Sequence, residues 1–189
     1  LRLGARPFHV VLPTPRQTAP VPIRSTGASV ALQGMAPAIA ALAGSTFVAD
    51  CTVEGLMHAV ELPQILKGGA RVLYISNEHP EVLERLAPSP GDEQQVRAAM
   101  RRLREAKSMR VTSPAGTALD IRIEGARVGG VWGYTEKPGT LSHWPGGIVL
   151  AFPKAGAVNG RLVMAPGDLN LTFKRYLESA VDLAIENDY

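Results

Sequence analysis

Short apolar runs alternate with helix-period stretches through the first 107 residues. Residues 8–12 are nearly all apolar, the pattern of a strand covered on both faces of a parallel sheet. Residues 13–29 carry prolines at 13, 15, 20 and 22 and predict a loop. The Ala-rich stretch 32–43 predicts a packed helix, with Pro37 confined to its first turn or kinking it. Residues 46–49 predict a second strand running into Asp50, and 58–66 a helix closed by Lys67-Gly68-Gly69. A third strand is expected at 71–76 and a short helix at 80–86. Within 92–107, Val96, Met100 and Leu103 share one helical face, and Asp92 with Gln95 three residues on predicts a capping box. Arg97, Arg101 and Arg104 fall off that face and read as a solvated surface in preference to an anion site.

This alternation implies an open, mostly parallel Rossmann-like sheet with flanking helices and right-handed connections. The pattern then changes. Residues 110–113, 118–124 and 126–134 read as consecutive strands separated by turns at Pro114-Ala-Gly116 and Gly125, and 118–124 alternates cleanly enough to leave one face wet. Further strands are expected at 148–152 and 161–165, and 172–186 reads as a strand followed by a helix. The fold class expected is α/β, with a Rossmann-like domain over 1–110 and an incomplete β-rich second domain over 111–189. Leu3-Gly4 resembles the close of a helix lying before Leu1, and the last helical pattern runs almost to Tyr189, so the chain is expected to be a fragment.

Composition narrows the function. Hydrophobic residues make up 46% of the chain, enough for a packed core. Against 20 basic residues stand 17 acidic ones, and no basic run carries interleaved aromatics, which argues against a nucleic-acid partner. The single cysteine, Cys51, forms no disulfide framework and fits a reducing compartment, the cytoplasm. No apolar run reaches membrane-spanning length and none reads as a signal peptide.

Two segments concentrate possible chemistry. From Tyr134 to Pro153, prolines and glycines surround Ser142, His143 and Trp144 between two expected strands. Such residues fix a backbone path, which a binding loop requires. Trp144 would shelter the His143 imidazole, with Glu136 seven residues earlier joining the same pocket; the other reading is a hairpin loop held by its prolines and indole. The second segment, Asp50 to Ala59, leaves the carboxyl end of a strand, where ligands bind in open parallel sheets. Glu54 and His58 stand four apart, so a helical turn would put them on one face, with His58 as general base and Glu54 orienting it. The other reading makes Asp50, Thr52 and Glu54 partners of backbone donors at a helix start. Glu78 and His79 are adjacent and read as a turn capping the helix at Pro80 in preference to a metal pair. Histidines with carboxylates suggest a divalent metal, yet no facial triad, His-x-Asp or His-Glu-x-x-His can be assembled, and no Gly-x-Gly-x-x-Gly or Walker loop is present. No metal ligand is therefore assigned within the chain.

Together, Phe8-His-Val-Val-Leu-Pro-Thr-Pro15, Arg24-Ser-Thr-Gly-Ala-Ser29, Asp50-Cys-Thr-Val-Glu-Gly-Leu-Met-His58, Ser76-Asn-Glu-His-Pro-Glu81 and the stretch Tyr134 to Gly147 resemble the 2,5-dihydroxypyridine 5,6-dioxygenase family. That family is related in architecture to the M29, leucyl aminopeptidase-like, metallo-aminopeptidases. The resemblance spans most of this chain but only the first half of a family member. It implies an extradiol-type ring opening in which Fe(II) binds a dihydroxylated pyridine and O2, in a cytoplasmic homo-oligomer, with iron ligands in a later half outside this chain. By match to its segment, His58 would be the acid/base residue at the pocket mouth; His143 would line the pocket. The M29 peptidases carry a metal-binding Glu in the loop matching Pro145-Gly-Gly-Ile-Val149, where this chain has none. That departure disfavours a two-metal aminopeptidase. The remaining alternative is a non-catalytic oligomerisation or binding module.

Overall fold

The computed structural model describes residues 4–13, 30–52, 55–75, 79–170 and 175–189. In chain order its helices are α1 (Ala36–Ala43), α2 (Leu62–Lys67), α3 (Pro80–Arg85) and α4 (Pro90–Glu105). The strands begin with β1 (Phe47–Asp50), β2 (Arg71–Ile75), β3 (Ser108–Thr112), β4 (Ala118–Arg122), β5 (Arg127–Val131) and β6 (Leu141–Trp144). They continue with β7 (Ile148–Phe152), β8 (Val158–Met164), β9 (Leu169–Asn170), β10 (Arg175–Tyr176) and β11 (Val181–Ile185). The α/β class read from the sequence is observed, with one parallel sheet and several antiparallel ones. The chain divides into two compact units, Leu1–Ala87 with Gly133–Pro145, and Pro88–Trp132 with Gly146–Tyr189. The expected boundary at 110 falls inside the second unit, and the first unit takes back a short later segment.

The first unit is built on the parallel sheet β1-β2-β6. Side chains alternate faces along a strand and register partners share a face. Val48, Val72 and Leu141 therefore lie together, and α1, α2 and the 3-10 turn Leu56–His58 cover them. Ile39, Leu56, Leu62 and Ile65 complete this core, with Ile65 and Val72 at 0% exposure. Each such side chain contributes about 1.5–3 kcal/mol by leaving water. Pro37 sits in the first turn of α1, where its missing N–H costs nothing. The strand expected at 8–12 is absent: the segment has no regular structure, and Phe8 and Val11 are exposed. An apolar run becomes a strand only where a sheet edge takes it up, and among the described residues β1 pairs with β2 alone. Most of the loop expected over 13–29 lies outside the described residues.

The hairpin reading of the Tyr134–Pro153 stretch is replaced by a different path. Residues Leu141–Trp144 are a strand of the first unit's parallel sheet. The flanking strands β5 and β7 pair with each other, antiparallel, in the second unit. The Gly147 N–H donates to the Val131 carbonyl at 3.0 Å, closing the base of this excursion.

In the second unit, α4 packs on β5 and β7 through Val96 and Met100. The helix starts one turn earlier than the sequence reading placed it. Ser89 is the N-cap and Asp92 the third helical residue, accepting from the Ser89 N–H at 2.6 Å and the Ser89 hydroxyl at 2.8 Å. Gln95 is therefore not the capping partner; Pro90 at the first helical position moved the start. Arg97 pairs with Glu93 and lies 4.8 Å over the Trp132 ring, and Arg101 and Arg104 are exposed, as a solvated face predicts. The four-stranded sheet β11-β8-β4-β3 is antiparallel throughout. Its wet face carries the Arg110–Asp120 pair at 3.2 Å and a two-pronged Arg161–Asp182 pair, whose hydrogen bonds hold the Asp182 carboxyl below the usual carboxylate range. The helix expected toward the C-terminus is not formed; Val181–Ile185 alternates and pairs with β8 instead. Among the described residues, no helix is long and apolar enough to cross a membrane.

Candidate functional site

The carboxyl edge of the first unit's sheet gathers polar groups in one row. Register places Asp50 of β1 level with Tyr74 of β2, and Tyr74 level with His143 of β6, on the same face. Asp50 is 4% exposed and fully engaged. One oxygen accepts the Thr52 N–H at 3.1 Å and the Thr52 hydroxyl at 2.7 Å; the other accepts the Leu56 N–H at 2.5 Å. The Thr52 hydroxyl oxygen in turn accepts from the Gly55 N–H at 3.0 Å. The reading in which Asp50 and Thr52 serve backbone donors is the observed one. A carboxylate with both oxygens so occupied folds the loop and has little capacity left for a ligand.

His58 ends the 3-10 turn that this loop leads into, and it is exposed. The turn starts at Leu56, and Gly55 before it has φ +69°, outside the helical region. The expected pairing of Glu54 with His58 lies outside the described residues, because Glu54 does. Among the described residues, no hydrogen bond or ring contact joins His58 to His143.

His143 is half-buried. Its Nδ1 lies 3.2 Å from the Pro145 carbonyl oxygen, across a Trp144–Pro145 peptide bond that is cis. A carbonyl only accepts, so Nδ1 carries the proton and Nε2 keeps the lone pair of the neutral ring. The His143 ring also meets Tyr74, centroids 5.3 Å apart and planes at 64°. Trp144 does not shelter this imidazole. As the next residue on a strand it faces the other way, is 2% exposed, and donates its Nε1–H to the Leu86 carbonyl at 3.1 Å. Its role is to pin the end of β6. Glu136 is exposed on the segment leading into β6. His79 caps α3, accepting from the Glu81 N–H at 3.2 Å, in line with the turn reading.

Tyr74 is the site residue that sequence reasoning missed. It reads as one more apolar strand position, and only the register reveals that it stands between the two candidate segments. Among the described residues, no group of three or more His, Cys, Asp or Glu comes together to hold a metal ion. Among the described residues of this edge, Asp50 is spent on its loop and His143 Nδ1 on Pro145.

The profile of the 2,5-dihydroxypyridine 5,6-dioxygenase family matches residues 1–189. The chain is 34% identical, over 190 aligned positions, to a 2,5-dihydroxypyridine 5,6-dioxygenase of Pseudomonas putida KT2440, covering 100% of this chain and 53% of that protein. It is similar to a solved structure of the 2,5-dihydroxypyridine dioxygenase from the same organism, with a TM-score of 0.83 and 34% identity over 98% of this chain and 53% of the other. The chain thus spans about half the length of the curated relative it matches.

Proposed function

The chain belongs to the 2,5-dihydroxypyridine 5,6-dioxygenase family, and on that premise we propose that it is part of an Fe(II)-dependent dioxygenase. This enzyme uses O2 to open the ring of a dihydroxylated pyridine or a similar aromatic. In this reading the iron is held by polypeptide outside these 189 residues, a choice supported by the lack, among the described residues, of any group of three or more His, Cys, Asp or Glu that could hold a metal ion. The chain's own residues bind and orient the substrate and move its protons.

The observation that carries the reading is the placement of His143. It stands at the carboxyl edge of an open parallel sheet, where ligands bind. Its Nδ1–H is engaged by Pro145, so Nε2 is left to accept a hydrogen bond from a ring hydroxyl. His58, exposed on the turn after β1, takes and returns a substrate proton at the pocket mouth, with Glu54 and Glu136 in support. Trp144 serves the pocket by fixing the strand under His143. The enzyme is read as a cytoplasmic homo-oligomer, and a lone cysteine, Cys51, suits a reducing compartment.

The test is anaerobic loading of the full-length enzyme with Fe(II), followed by O2 uptake with 2,5-dihydroxypyridine and, separately, release from a leucine anilide. Ring-dependent O2 uptake without anilide release is expected; the reverse would make the enzyme a peptidase. His58→Ala should lower turnover by about 10²–10⁴-fold, the contribution of a positioned proton-transfer group, and leave the iron content unchanged. Loss of iron in that variant would refute the assigned role.

A further inference from the structure

Tyr74 lies on the middle strand, between the segment that leads to His58 and the strand that carries His143. Its ring is 5% exposed and meets the His143 ring edge-on at 5.3 Å. On the loop side the ring occupies the space above Gly55, where a Cβ would stand 2.1 Å from the ring carbon Cε2. Gly55 is needed there twice over, for that space and for its φ of +69°. It is held in place by the Thr52 hydroxyl on its own N–H and by the Asp50 carboxylate on the next N–H, that of Leu56. The ring is thus wedged between a loop fixed by a buried carboxylate and the imidazole of His143.

An imidazole held by one hydrogen bond can still swivel about it. The Pro145 carbonyl fixes which nitrogen of His143 carries the proton, but not the plane of the ring. A packed aromatic edge removes that remaining freedom, as a preorganised site requires. We infer that Tyr74 is a positioning residue. Its ring couples Gly55, held by Thr52 and Asp50, to the His143 imidazole and holds Nε2 at the angle that receives a hydroxyl of the aromatic substrate. This rests on reading His143 as a pocket residue. Loss of orientation impairs turnover more than binding, so kcat falls while KM stays close to its original value.

The experiment uses the full-length enzyme with 13C-labelled histidine, the His143 ring signal being assigned by its loss in His143→Gln. Tyr74→Phe keeps the ring against His143, so it should move the His143 signal less than Tyr74→Leu does. Tyr74→Leu should move that signal and lower kcat about ten- to a hundredfold, the effect of a modest misplacement, with KM little changed. Gly55→Ala, which pushes on the ring without altering Tyr74 or His143, should also move the signal; it decides the matter by the same readout if Tyr74→Leu does not fold. An unmoved His143 signal in Tyr74→Leu or in Gly55→Ala overturns the inference, and so does a Tyr74→Phe variant as impaired as Tyr74→Leu. A moved signal with full turnover upholds the coupling of ring to imidazole and refutes the pocket reading of His143 instead.

Discussion

Replacing Asp50 tests the claim that this carboxylate folds the loop and takes no part in chemistry. Three donors converge on it: the Thr52 N–H, the Thr52 hydroxyl and the Leu56 N–H. In Asp50→Asn one carbonyl oxygen remains. If it stays with Thr52, the new amide faces the Leu56 N–H, donor against donor. One charge-assisted bond, worth about 1.5–3 kcal/mol, is lost, and a buried N–H is left unsatisfied at about 1–3 kcal/mol more. The expected destabilisation is therefore about 3 kcal/mol or above. Thr52→Ala removes both a charge-assisted bond to Asp50 and the acceptor of the buried Gly55 N–H, and should likewise cost about 2.5 kcal/mol or above. Urea unfolding reads both, followed by Trp144 fluorescence in a Trp132→Phe background so that the buried indole of the first unit reports alone. With a slope near 2 kcal/mol per molar urea, the Asp50→Asn midpoint should drop by about 1.5 M. A drop below about 0.25 M would refute the network as a source of stability. An unchanged midpoint with lost turnover would move Asp50 from the scaffold into the chemistry.

Gly160 has φ +124°, and a Cβ there would stand 2.2 Å from the Ala118 carbonyl oxygen. Gly160→Ala should therefore destabilise the second unit by about 3 kcal/mol or more, seen as an early thermal transition; an unchanged melting temperature would contradict the strand packing. Asp188 accepts the Val158 and Gly156 N–H groups, and these bonds, Val158 first, hold its carboxyl below the ordinary aspartate range. A carboxyl lowered on folding stabilises above its unfolded pKa, and that support is lost as pH falls through the lowered folded value. Hydrogen-exchange protection of the Gly156 and Val158 amides should fade over that acid window, and Asp188→Asn should abolish the pH dependence. Among the described residues, Glu61 has no hydrogen-bond partner for its buried Oε2. Glu61→Gln should therefore be neutral or raise the urea midpoint by up to about 0.5 M, and a large fall would mean that the oxygen is satisfied in solution.

Sequence period located most of the first unit's elements, because β1, β2, α1 and α2 bury their apolar positions close to home. Val48 and Val72 alternate with polar or half-exposed neighbours, and Ile39, Leu62 and Ile65 fall on the covered helix faces. The same logic misjudged residues 8–12, whose apolar character needs a sheet edge to become a strand. It misjudged the C-terminal stretch too, where pairing with β8 decided in favour of a strand. Asp92 illustrates a smaller limit: the residue was recognised as a capping group, but the proline before it set which end of the box it occupies.

Residue types and spacing were enough to mark two candidate segments, the α/β class and, through the long motifs, the family. Residue types and their spacing carry that information locally. How the segments meet is left to tertiary packing. His143 looked like a loop residue because its strand is four residues long and pairs across a separation of nearly seventy with β2. Neither the Tyr74 contact nor the burial of Trp144 against Leu86, on the face opposite His143, is written in any local period; both follow from register between strands distant in the chain. Register is set by the packing of whole faces, a property that no single segment contains.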